Sequence, residues 1–222
     1  MLNHKSYWDK EWRSQEIDEY QSYLESHMHS HPWFLEAFRK YEIKYVCDAA
    51  CGFGAYSAML SSNGFQVSGF DLSSVAVDLT KQLLRKNRLQ FSNFIASDIC
   101  AIEFPDDCFD ATVAHAVLDH LSAKDASIAL CELMRITKPN GLVYLSFDPL
   151  EQEDLSEPHD VLEDGSFLYT RGEREGLLFR YDSSADILRQ LMPYRMLQWR
   201  CNKRGEREFL LQKLGKLNDC AQ

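Results

Sequence analysis

The residues of this chain best suited to chemistry gather in one short stretch, Asp48-Ala49-Ala50-Cys51-Gly52-Phe53-Gly54. Small residues such as Ala50, Gly52 and Gly54 let a backbone come close to a ligand, and glycine takes positive φ at no steric cost. The carboxylate of Asp48, which opens the turn, can pair with an ammonium group. Seventeen residues after Gly54 stands Asp71, an acid able to accept both hydroxyls of a ribose. Asp98 can read the edge of an adenine while Ile99 packs on the ring.

Two ligands compete for this pattern. A dinucleotide asks for Gly-x-Gly-x-x-Gly, with a helix N-terminus holding its pyrophosphate. Here the third position is Ser57, and the Asp48 carboxylate beside the turn repels a pyrophosphate. A nucleoside carrying methionine, S-adenosylmethionine, suits the turn better than NAD does.

Other reactive side chains need weighing. His115 ends an expected strand and is the candidate general base; the alternative is a half-buried histidine that only packs. His120 reads as a cap of the next helix, and Asp119 as solvated or a capping partner. Tyr7, Trp8 and Trp12 form an aromatic N-terminal group; Tyr7 and Trp12 are candidates for touching the bound nucleoside. His27 and His31 would share a helix face as a metal pair, but no neighbour completes the set, so no metal is expected. Cys47 and Cys51 are likewise an isolated pair. The seven cysteines, with Cys100, Cys108, Cys131, Cys201 and Cys220, are odd in number and irregular in spacing, as free thiols of a reducing compartment would be.

These side chains depend on elements that position them. Residues 1–42 look helical, with Pro32 beginning a helix. Lys44 to Asp48, Gln66 to Asp71, Asn93 to Ser97, Phe109 to Ala114 and Leu142 to Phe147 read as strands. Between them lie helical patterns. Val75, Leu79 and Leu83 recur every four residues. Ser122 and Asp125 cap a helix whose inner face is Ala126, Leu130, Leu133 and Met134, and Pro139-Asn140-Gly141 ends it. Alternating strands and helices imply a parallel sheet covered on both faces, with ligands at the carboxyl ends of the strands. Glu151 to Asp164 carries seven acids and no Lys or Arg, and reads as a solvated loop. Ser166 to Arg171 and Leu177 to Tyr181 read as a β-hairpin over the strand ends. Its Phe167, Tyr169, Arg180 and Tyr181 are the candidate substrate residues. The division expected is one domain: an N-terminal helical cap (1–42), a cofactor core (43–149), a lid (150–182) and a C-terminal helix with strands (183–222).

Val46 to Gly54 resembles the first motif of the class I S-adenosylmethionine-dependent methyltransferases. Gly69-Phe70-Asp71-Leu72-Ser73 resembles the second, Ser97-Asp98-Ile99 the adenine motif and Phe109 to Leu121 the fourth. Leu133 to Leu142 resembles the helix, proline-glycine, strand element that follows. The resemblance is close over about residues 43–148; the lid is loosely similar to tellurite-resistance-type enzymes. It implies that Asp48, Ala50, Gly52 and Gly54 hold the methionine part. Asp71 would then meet the ribose, Leu72 and Asp98-Ile99 the adenine, and the His115 backbone the methionine end. It also implies a Rossmann-like α/β fold of seven strands in the order 3-2-1-4-5-7-6, the seventh antiparallel. Tyr194 to Cys201 and Glu208 to Leu214, joined at Lys203-Arg204-Gly205, fit the last two. The chain departs from the first motif where Ala50 replaces its usual first glycine. No Asn-Pro-Pro-Tyr-type motif follows the fourth strand, which argues against methylation of DNA adenine or glutamine.

Composition narrows the function. The chain has 222 residues, enough for one α/β domain, and a net charge of −10. That balance speaks against nucleic acid; only Arg195 to Lys216 is locally basic. No apolar run approaches a membrane span, and Met1 to Glu16 does not read as a signal peptide. The expectation is a cytoplasmic methyltransferase, monomer or homodimer, moving a methyl group to O, N or S of a small molecule by in-line displacement. The alternatives are a non-catalytic S-adenosylmethionine-binding regulatory module and an NAD-dependent reductase.

Overall fold

The computed structural model describes residues 4–14 and 17–215. Three helices come first: α1 (His4–Glu11), α2 (Ile17–Met28) and α3 (Phe34–Lys40). Then follow β1 (Tyr45–Ala49), α4 (Ala55–Ser62), β2 (Gln66–Asp71), α5 (Ser74–Lys86), β3 (Phe94–Ala96), β4 (Phe109–Ala114), α6 (Ala123–Ile136) and β5 (Thr137–Phe147). The chain continues through α7 (Gln152–Ser156), β6 (His159–Val161), β7 (Phe167–Tyr169), β8 (Leu178–Phe179), α8 (Ser184–Leu191), β9 (Arg195–Cys201) and β10 (Arg207–Gln212).

The main sheet runs β3-β2-β1-β4-β5-β10-β9. With the three lid strands set aside, this is the expected order 3-2-1-4-5-7-6. The first five strands are parallel, and β10 is antiparallel to both β5 and β9. Parallel strands buried on both faces need apolar cover on both, and the core divides accordingly. One layer, with Phe34, Phe38, Leu60 and Leu83, packs beneath α2 to α5. The other, with Leu130, Leu133, Ile187 and Phe209, packs beneath α6 and α8. Among the described residues no helix is long and apolar enough to cross a membrane.

Local chemistry explains most element boundaries. Ser122 Oγ accepts the Asp125 backbone N–H at 3.1 Å and starts α6, whose expected inner face is buried along with Ala129 and Ile136. In α5 the buried stripe is Ala76, Val77, Thr80, Leu83 and Leu84, rotated from the expected Val75, Leu79 and Leu83. The rotation has a polar cause: Thr80 Oγ1 donates to Gly52 O at 2.7 Å and so must face inward. Helix α6 ends at Ile136, and Pro139-Asn140-Gly141, expected to end it and turn into the strand, already belongs to β5, with an irregular register between Phe109 and Ala111. The helix expected to begin at Pro32 begins at Phe34. His31 lies beyond the end of α2, so it does not share a helix face with His27; it bonds Asn63 Oδ1 instead.

The lid differs most from expectation. It is a three-stranded sheet, β6-β7-β8, where a two-stranded hairpin was expected. The stretch Glu151 to Asp164 is not a plain solvated loop. It contains α7, closed by a reciprocal capping arrangement of Glu151 and Asp154, and Asp154 is buried in an ion pair with Arg174. The six described cysteines are free thiols; Cys220 and the basic Lys216 lie outside the described residues.

Candidate functional site

The carboxyl end of β1 breaks into the small-residue turn because the chain there needs left-handed backbone. Ala50 (φ 55°), Gly52 (φ 54°) and Gly54 (φ 91°) all adopt it. An alanine in that region carries a steric cost of roughly 1 kcal/mol that glycine avoids. The turn is tied down from several sides. Cys51 N–H donates to Phe70 O at 2.9 Å. Asp71 Oδ2 accepts the Gly52 N–H and Oδ1 accepts the Ser73 N–H, both at 2.9 Å. Thr80 closes the far side, its methyl pressed where a Cβ on Gly54 would stand.

Two buried acids flank this turn. Asp48 is 2% exposed and accepts the Ser57 hydroxyl at 2.5 Å. Burial raises its pKa to about 7, against the lowering effects of the Ser57 bonds and of His115. Burial likewise raises Asp71 to about 6, offset in part by the backbone N–H groups of Ser73 and Gly52. Ser57 thus has a role beyond filling the third glycine position: it holds Asp48. At the end of β3, Asp98 is exposed and caps the turn through the Cys100 N–H at 2.8 Å, Ile99 is buried, and Leu72 is half-buried.

Helix α1 lies across these strand ends. Asp9 Oδ1 accepts the Ser73 hydroxyl at 2.5 Å. The Trp12 indole covers Gly52 so closely that a Cβ there would meet it at 2.9 Å. Its Nε1 is buried with no hydrogen-bond partner. Trp8 stacks on Trp12 at 6.0 Å and meets His120 edge-on at 5.3 Å. Tyr7, its pKa pushed up to about 12 chiefly by burial, packs against the lid beside Tyr169 and Phe179. Helix α1 and the turn that follows it therefore touch both the glycine turn and the lid.

On the other side stands His115, just past β4, where Ala116 turns left-handed (φ 45°) and donates its N–H to Ser146 Oγ at 3.0 Å. The Tyr56 ring packs on the imidazole at 4.3 Å. Glu206, from the turn between β9 and β10, comes to 3.0 Å from His115 Nε2. Sequence reasoning missed Glu206 and Thr80, because their partners lie far away along the chain. His120 does not cap α6; its Nδ1 contacts Leu178 O at 3.1 Å and its ring packs between Trp8 and Phe179. Asp119 is not solvated: it is 1% exposed and accepts the Asp148 N–H at 2.8 Å.

The lid residues separate into two kinds. Tyr169 and Arg180 are interior. The Tyr169 hydroxyl donates to Asp154 O, and the Arg180 guanidinium binds the carbonyls of Leu118 and Leu121 and the Asp182 carboxylate. Phe167 is half-buried against His159, and Tyr181 is exposed with Arg207 over its ring.

Comparison with known proteins fits this geometry. A family model described as "Methyltransferase domain" matches residues 47–145. Malonyl-[acyl-carrier protein] O-methyltransferase of Serratia marcescens is 31% identical over 101 residues, 46% of this chain and 37% of that one. The match thus spans well under half of that relative's length. Among solved structures, a methyltransferase from Methanosarcina mazei superposes with a TM-score of 0.67 at 24% identity, covering 81% of this chain and 98% of that one. Magnesium protoporphyrin IX methyltransferase of Synechocystis, solved with S-adenosylmethionine bound, gives 0.61 at 17% identity, covering 96% and 92%.

Proposed function

We propose that this chain, whose core is a class I S-adenosylmethionine-dependent methyltransferase domain, transfers a methyl group to O, N or S of a small molecule. The observation that carries the reading is the pairing of the left-handed turn with Asp71. Each Asp71 oxygen accepts one backbone N–H, from Gly52 or Ser73, and as a carboxylate oxygen has acceptor capacity left for a ribose hydroxyl.

The residues present fit the cofactor. Asp48 is a buried acid with no ion pair among the described residues, so an ammonium group would complete it. The orphaned Nε1 of Trp12 would donate to a polar atom of the bound nucleoside, and Tyr7 from α1 and Trp12 from the turn after it would close over it. Leu72, Asp98 and Ile99 would flank the adenine, while Ala50, Gly52 and Gly54 would offer their backbone to the methionine part. Bound S-adenosylmethionine supplies an activated methyl group on a sulfonium. The chain's own task is to align the acceptor and take up its proton. His115 is the base in this reading, and Phe167 and Tyr181 are the lid residues left open to an acceptor. The Serratia marcescens relative acts, by its name, on malonyl-[acyl-carrier protein], which makes an acyl-type substrate one class to try here.

Calorimetric titration of the purified chain with S-adenosylmethionine, S-adenosylhomocysteine and NADH tests the proposal. The first two should bind in the micromolar range and NADH should not. Binding of NADH alone, or of none of the three, would refute it.

A further inference from the structure

The last hairpin of the main sheet reaches back to the strand ends. Its turn, between Cys201 and Arg207, packs Gly205 against Pro149, with 3.1 Å left for any Cβ. That packing delivers the Glu206 carboxylate to His115 Nε2 at 3.0 Å, with the two side chains 17% and 34% exposed. The two oxygens of Glu206 are not equivalent. Oε2 accepts Asn202 Nδ2 at 2.7 Å. Oε1 is buried and has no aligned hydrogen-bond donor. A buried acceptor left without a donor is unfavourable, because it has lost its water partners without replacing them. The groups beside it able to supply one are the imidazole, 3.0 Å away, and the Ser146 hydroxyl.

The carboxylate stays charged. Burial pushes Glu206 upward, but His115, Ser146 and Asn202 outweigh it and hold the acid below its ordinary range. Across the imidazole, Nδ1 has no hydrogen-bond partner among the described residues. The remaining groups around the ring are the Tyr56 ring from α4, Asp48 from β1 and Asp148 from the segment after β5.

We infer that Glu206 is a positioning residue: it keeps neutral His115 protonated on Nε2 and so leaves Nδ1 bare to take a proton from the methyl acceptor. The inference rests on the methyl-transfer reading above and deepens it. It specifies an acceptor that arrives with a proton to lose, a hydroxyl, a thiol or an ammonium. In the step, the acceptor's X–H bond breaks, the proton goes to Nδ1 and the electron pair stays on X as the nucleophile. The imidazolium so formed faces the Glu206 carboxylate, which keeps its charge.

The test reads the tautomer directly and needs no acceptor. The full chain is labelled with 15N in its histidines, and long-range 1H–15N correlation spectra are recorded at a pH where the imidazoles are neutral. His115 is assigned by the loss of its signals in His115→Gln. The wild type should show His115 protonated on Nε2, in excess over the other tautomer by at least about tenfold, as a charge-assisted bond dictates. In Glu206→Ala that preference should fall by about tenfold. A wild-type ring protonated on Nδ1, or a preference unchanged in Glu206→Ala, would overturn the inference; the wild-type spectrum decides even if the variant does not fold. S-adenosylhomocysteine titrated into the same samples separates the two claims. Binding with the wrong tautomer rejects the role of Glu206 alone, whereas the right tautomer without binding rejects the methyl-transfer reading.

Discussion

Asp71 shows how much a single residue can be asked to do. Its two oxygens hold the Gly52 and Ser73 backbone and, in the proposed function, the ribose as well. Asp71→Asn should therefore weaken S-adenosylmethionine binding by about 10- to 100-fold, from loss of charge-assisted bonds of about 1.5–3 kcal/mol. Calorimetry on the folded variant checks this, and unchanged affinity would remove Asp71 from the ribose site. At this scale the sequence was informative wherever a residue's partners are its near neighbours. The glycine turn and the acid at the next strand end sit in one βαβ unit, so spacing alone brings them together. It was uninformative where two distant segments meet. Nothing around Glu206 in the sequence marks it as a partner of His115, since only the packing of the last hairpin on Pro149 creates the contact. Arg180 misled for a related reason: a cation in a strand pattern reads as exposed, yet three carbonyl and carboxylate partners take it inside.

Among the elements, α1 has a short sequence and a large effect. It places Asp9 on Ser73, Trp12 on Gly52 and Trp8 on His120. If α1 closes over the cofactor, Trp12→Ala should lower S-adenosylhomocysteine affinity by about tenfold while leaving the circular dichroism spectrum unchanged. Tighter binding would mean instead that α1 competes with the cofactor for the turn. The lid permits a contrasting expectation. Phe167→Ala should leave cofactor affinity within about twofold and alter which acceptors are methylated, because its ring packs within the lid, on His159 and beside Tyr169 and Phe179. Loss of cofactor binding in that variant would move β7 into the cofactor pocket. Strands and helices of the core were readable because periodicity and caps such as Ser122-x-x-Asp125 are local signals. The lid was not: β6 and β8 are three and two residues long, too short for a period to register. The capping of α7 by Glu151 and Asp154 hid inside a run of acids that looked merely solvated.

For the whole molecule, the buried acids tie stability to pH. Asp48 and Asp71 have folded-state pKa values raised to about 7 and about 6, above the unfolded value of 3.8. In that interval the folded state binds more protons than the unfolded one. Their contribution is therefore complete below about pH 4 and is lost as pH rises through 6 to 7. Asp48→Asn should flatten the fall, making the variant relatively more stable at pH 8 than at pH 5 by about 2–4 kcal/mol, measured by urea unfolding. A parallel shift at both pH values would show that Asp48 ionises normally in the folded chain. The same charge logic links stability to the ligand: an ammonium group beside Asp48 favours the carboxylate, so cofactor binding near pH 6.5 should release a proton. Calorimetry in buffers of different ionisation enthalpy would register it.

The position of Trp12 has one more consequence. Its indole lies on the backbone that the cofactor must approach, with its Nε1 dehydrated and unpaired. Indole emission responds strongly to just such a change, the arrival of a hydrogen-bond acceptor or a nearby cation. Of the four tryptophans, Trp33 and Trp199 lie elsewhere, on the Tyr144 and Phe209 side chains, and supply a steady background. The chain thus carries its own fluorescent gauge of occupancy, and libraries of compounds can be ranked against it by light alone before any substrate is known.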